Sequence, residues 1–140
     1  MNKQNIWESL ELDKNKPNIL KVLKEQAQLL ADKTKGILFA EVNPIDTYEE
    51  KTLELAIVYN FYIHAPYLGN IKKLIFSVVE LGDKIILFDR IDDKDFSFHN
   101  SIESLINKIG EIISGKKCKE FIESLYASSL ENIPPSKRPK

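Results

Sequence analysis

The feature that most constrains this chain is a period of two between residues 53 and 64. Leu53, Leu55, Ile57, Tyr59, Phe61 and Ile63 fall on one face of an extended segment. Glu54, Ala56, Val58, Asn60, Tyr62 and His64 fall on the other. A helix advances about 100° per residue and would scatter six such alternates around its axis, so the segment reads as a half-buried strand. A strand of this length needs pairing partners and a layer to cover its apolar face.

The partners follow in sequence. Ile71 to Leu81 and Lys84 to Arg90 are two further apolar runs separated only by Gly82-Asp83. Two linking residues with glycine first predict a type II′ hairpin, because glycine accepts the positive φ at the first turn position. That turn sets the register. Val79 is then opposite Ile86, Ser77 opposite Phe88 and Ile75 opposite Arg90 on one side. On the other side Val78 meets Leu87, Phe76 meets Asp89 and Glu80 meets Ile85. Both sides are largely apolar, whereas an antiparallel sheet with one wet face reads apolar-in and polar-out. The second face therefore calls for a cover: the N-terminal segment, a ligand or another copy of the chain.

An earlier strand, Ile37 to Val42, is expected to stop at Asn43-Pro44. Before it, Asn15-Lys16-Pro17 opens a helix in which Ile19, Leu20, Leu23, Ala27 and Leu30 recur at helical spacing, ending at Gly36. After Arg90, Ile91 to Phe98 reads as a polar loop. Asn100 with Glu103 then makes a capping box for a helix with Ile102, Leu105, Ile106, Ile109 and Ile113 on its stripe. Gly115 ends it, and a second helix carries Phe121, Ile122, Leu125 and Tyr126. The expected architecture is α+β: an N-terminal helix, a four-stranded antiparallel meander and two C-terminal helices packed on it. One domain spans 1–133, and the Pro-rich basic segment 134–140 is expected to be a flexible tail.

Composition narrows the function classes. Forty-three per cent hydrophobic residues in 140 suffice for a core without disulfides or metal. Lys+Arg, 20, nearly cancels Asp+Glu, 21, and Arg90 and Arg138 are the only arginines. A basic field for nucleic acid is missing, and so is the residue best suited to bidentate phosphate contacts. The lone Cys118 forms no intramolecular disulfide, and the start lacks an apolar signal-peptide run, so the cytoplasm is the expected compartment. No run is apolar enough for a membrane span. Phosphate-loop, dinucleotide, nucleophile-elbow and zinc-protease motifs are absent, so no cofactor is expected. A calcium loop starting at Asp93 would need glycine where Phe98 stands and glutamate where Ser104 stands, so no metal site is expected either.

What remains is surface. His64 shares its strand face with Asn60 and Tyr62, and Tyr67 follows just after. These four, with Arg90, are the ligand or interface candidates; Val79, Ile86 and Phe88 are the self-association candidates. His99 is explained by its place before a helix cap, and Cys118 by an ordinary thiol role, although Lys116-Lys117 beside it favour a thiolate. No catalytic set emerges, and the leaning is against an enzyme. The leading expectation is a non-catalytic cytosolic protein that binds a protein partner and self-associates as a homodimer, analogous to immunity proteins or secretion chaperones. The rival is a small enzyme or ligand-binding domain with a pocket between sheet and helices that uses Tyr62 and His64.

Overall fold

The computed structural model describes residues 7–10, 12, 17–49, 54–92 and 96–139. The expected helix start at Asn15-Lys16, the strand residue Leu53 and the loop residues Asp93 to Asp95 lie outside that set.

Helix α1 runs Ile19–Lys33. Its cap is Asn18, whose Oδ1 accepts from the Lys21 N–H at 2.8 Å, so Pro17 stands before the cap instead of opening the first turn. Lys35 and Gly36, both at positive φ, turn the chain into the sheet. Strands β1 (Phe39–Glu49), β2 (Glu54–Ala65), β3 (Ile71–Leu81), β4 (Lys84–Asp89) and β5 (Phe96–His99) pair antiparallel in sequence order. Helices α2 (Ile102–Ser114) and α3 (Lys116–Glu131) follow, broken at Gly115. The α+β order is the expected one, with five strands in place of four.

Three differences have identifiable physical causes. β1 runs straight through Asn43-Pro44, which its place at the edge of the sheet allows, since proline within sheets is tolerated on edge strands. The expected loop before α2 contains β5, whose Phe-Ser-Phe-His alternates like any short strand and pairs with β4. The α2 cap is Ser101 and not Asn100; Ser101 Oγ accepts from the Ser104 N–H at 3.1 Å.

The β3–β4 register is the one the Gly82-Asp83 turn predicts, from Phe76 opposite Asp89 to Leu81 opposite Lys84. Gly82 takes φ 59°. Beyond Phe76 a bulge intervenes: Phe61 pairs with Phe76, but Tyr62 pairs with Leu74, leaving Ile75 over. Arg90 N–H still donates to the Ile75 carbonyl at 3.0 Å. The Ile75 side chain, however, is fully buried with Phe61 and Ile63 instead of facing outward beside Arg90.

All three helices pack on one face. α1 lies along β1, α2 over β4 and β5, and α3 over β2. Leu23, Phe61, Phe76, Leu87, Leu105 and Leu125 belong to one continuous core between the layers. Phe61 and Phe76 stack there with centroids 4.7 Å apart.

Candidate functional site: the outer face of the sheet

The five strands align a row of apolar side chains on the face away from the helices. Ile45 pairs with Val58, Val58 with Val79, Val79 with Ile86 and Ile86 with Phe98, so the row crosses the whole sheet. None of these five residues belongs to the core or packs against it. Ile45 is 50% exposed and Phe98 67%. The neighbouring row runs Asn43, Asn60, Ser77, Phe88, Phe96.

Phe88, Phe96 and Phe98 form an aromatic cluster at the β4–β5 side. Phe96 meets Phe98 edge-on at 5.5 Å, and Phe88 lies 6.0 Å from Phe96. The Arg90 guanidinium sits 5.1 Å above the Phe88 ring. Its Nε donates to Ser77 Oγ at 3.4 Å, and Ser77 Oγ donates to Asn60 Oδ1 at 2.8 Å. Among the described residues Arg90 has no acidic partner. The face thus offers hydrocarbon and aromatic surface around one cation.

At the far end of β2 a polar cluster closes the face. Lys72 Nζ donates to Glu41 Oε2 at 2.9 Å, and Glu41 Oε1 lies 3.7 Å from His64 Nδ1. His64 Nε2 is 3.2 Å from Asn70 Oδ1. His64 has a carboxylate at hand, and among the described residues no serine, cysteine or threonine hydrogen-bonds to it.

Asn60, Tyr62, His64, Arg90, Val79, Ile86 and Phe88 all stand on this outer face, which puts His64 and Arg90 on one side of the sheet. Tyr67 does not join them. It lies in the 3₁₀ turn Pro66–Leu68, and its carbonyl accepts from Asn132 Nδ2 at 3.0 Å. Tyr62 and His64 also stand apart from the space between sheet and helices, whose cavity of about 380 Å³ is lined by Phe61, Ile63 and Ile75 with residues of the three helices. Phe96 and Phe98 were hidden from the sequence reading inside an apparent loop, although their alternation with Ser97 and His99 was the signal.

Other chemistry-bearing groups are engaged structurally. Asp89 Oδ1 accepts from the N–H groups of Ile91 and Asp92 at 2.9 and 3.1 Å, which closes the turn after β4. Burial pushes the Cys118 thiol up to about 11, with the Asp89 charge adding to it. Lys117, which proximity suggested would favour the thiolate, instead pairs with Asp92 at 2.6 Å. His99 joins β5 to α2: its Nε2 is 2.7 Å from Ser97 Oγ and its Nδ1 2.7 Å from Ser104 Oγ. Burial lowers its pKa, and Lys108 reinforces the shift. Among the described residues no three His, Cys, Asp or Glu side chains group as metal ligands, and no helix is long and apolar enough to cross a membrane.

The chain matches no family model, no curated protein and no solved structure. Its function is read from its own surfaces.

Proposed function

We propose that this protein is a non-catalytic binding protein that engages a protein partner through the outer face of its sheet, and that copies of the chain self-associate there. The observation that carries this reading is the apolar row that runs from exposed Ile45 through half-buried Val58, Val79 and Ile86 to exposed Phe98, which no helix covers among the described residues. Isolated exposed apolar residues are ordinary on soluble domains; a continuous apolar strip is a feature of contact surfaces. Five strands at about 4.8 Å spacing, read over some seven residues of strand, present on the order of 600 Å². That lies at the lower end of what each partner buries in a specific complex. The phenylalanines of the β4–β5 side, with Arg90 beside them, are residue types that concentrate binding energy.

Arg90, which has no acidic partner among the described residues, calls for a carboxylate on the facing surface. A near-neutral net charge of −1 does not oppose the meeting of two copies and gives no field for nucleic acid. A single unpaired cysteine suits a cytoplasmic location.

Light scattering over a wide concentration range tests the reading. Mass should rise toward a dimer with concentration, and Ile86→Glu should hold the protein monomeric while leaving its circular dichroism intact and its melting temperature unchanged at dilutions where the parent is also monomeric. A mass that stays monomeric at every concentration, in a protein that captures no partner through this face, would overturn the proposal.

A further inference from the structure

A second apolar surface lies inside the fold, on the other side of the sheet. α1 follows β1, while α2 and α3 cover the remainder of the same face, and a cleft opens between the two groups of helices. Gln26, Leu29, Leu30 and Lys33, spaced i, i+3, i+4 and i+7, turn one face of α1 into the cleft. Ile113 and Ile122 form the opposite wall. The floor is Phe61, Ile63 and Ile75, the last turned inward by the β3 bulge.

The cavity measures about 380 Å³, and a second space of about 270 Å³ between α1 and α2 shares Gln26 and Ile113 with it. The polar side chains lining the two spaces are Gln26, Lys33, the Cys118 thiol and Ser114. A cleft whose walls are mostly hydrocarbon accepts an apolar guest. At about 30 Å³ per heavy atom the larger space holds roughly a dozen. Lys33 forms no salt bridge among the described residues, and no acidic side chain lines either space. Leu29, 58% exposed, marks the mouth on the α1 side beside this cation.

We infer that the cleft between α1 and the α2–α3 pair binds a medium-chain carboxylic acid, its alkyl chain over Phe61 and Ile75 and its carboxylate at the Lys33 ammonium. Hydrocarbon walls with one charged group placed to orient the ligand are the usual make-up of small-molecule sites.

Titration calorimetry of the full chain with decanoate, decan-1-ol and decyltrimethylammonium tests the inference. Decanoate should bind saturably at one site and more tightly than the alcohol, with the cation weakest. Lys33→Glu should weaken decanoate about three- to tenfold and leave the alcohol unchanged. Ile122→Trp, filling the cleft, should abolish binding, and Ile86→Glu on the outer face should not affect it. If Ile122→Trp fails to fold, the exposed Lys33→Glu variant decides. Absence of saturable binding, equal binding of the cation, or loss with Ile86→Glu would overturn the inference. Binding that appears only after residues 1–12 are removed would also overturn it and assign the cleft to that segment. A dimer broken by Ile122→Trp without ligand would assign it to a second copy.

Discussion

The two faces of this one sheet carry the same kinds of residue and end in opposite circumstances. On the inner face Phe61 and Phe76 stack at 4.7 Å, and Phe76 has no exposed surface. On the outer face Phe96 and Phe98 meet at 5.5 Å and are 59% and 67% exposed. The inner pair was desolvated on folding; the outer pair still has that gain to make. Apolar burial contributes about 25 cal/mol per Å² wherever it occurs, so the outer face holds binding energy the fold has not used. Inner residues accordingly answer to stability, and under the proposed function outer residues answer to association.

That contrast breaks first, if it breaks, at Phe76. Phe76→Ala should cost about 3–5 kcal/mol in urea unfolding, whereas Phe98→Ala should stay within about 0.5 kcal/mol of the parent. Comparable losses from the two would show the outer face to be covered. The next largest effect is on association. Phe98→Glu should weaken self-association at least about tenfold, some 1.4 kcal/mol, with no fall in melting temperature at dilutions where the parent is monomeric. A loss of both together would mean the face is part of the folding core.

Smaller effects sharpen how the inner layer is anchored. Ser101→Ala removes the acceptor for the Ser104 N–H and should lower stability by about 1 kcal/mol, read as a shift in denaturant midpoint at unchanged slope. The smallest is a pH dependence at His99. Its pKa in the fold lies below the ordinary 6.5, so above that value both folded and unfolded chains hold it neutral and its full contribution is present. As pH falls below 6.5 the unfolded chain takes up a proton that the fold resists, and stability declines until pH passes the folded value. The difference between parent and His99→Gln stability should therefore shrink from pH 7 to pH 5. A constant difference would show that burial does not hold His99 neutral.

Much of this was readable along the chain wherever the code is local. Period two at 54–64 located β2, and Gly82 at positive φ set every β3–β4 pair from Phe76 to Leu81. The helical stripe through Leu105 and Ile109 marked the buried side of α2. Val79, Ser77, Ile86 and Phe88 could be grouped on one face from that register, which does not tell which face looks outward. Less local features were not readable. Pro44 looked like a strand terminator because nothing in its neighbourhood says that β1 is an edge. Phe96 and Phe98 looked like loop because four residues make a strand only when β4 is there to pair with. The Ile75 bulge answers to β2, since Tyr62 pairs with Leu74 while Phe61 keeps Phe76.

The sequence by itself determined the alternation of the strands, the hairpin register and the excess of apolar residues in 71–90, because side-chain period and turn geometry are properties of neighbouring residues. Tertiary structure alone decided that all three helices cover the same face. It thereby decided that Val79, Ile86, Phe88 and Phe98 are surface while Phe76, Val78 and Leu87 are core. It also set the cleft between α1 and α2–α3. Both outcomes rest on where distant elements pack, and hydrophobic attraction has no direction of its own to record that choice in any one segment.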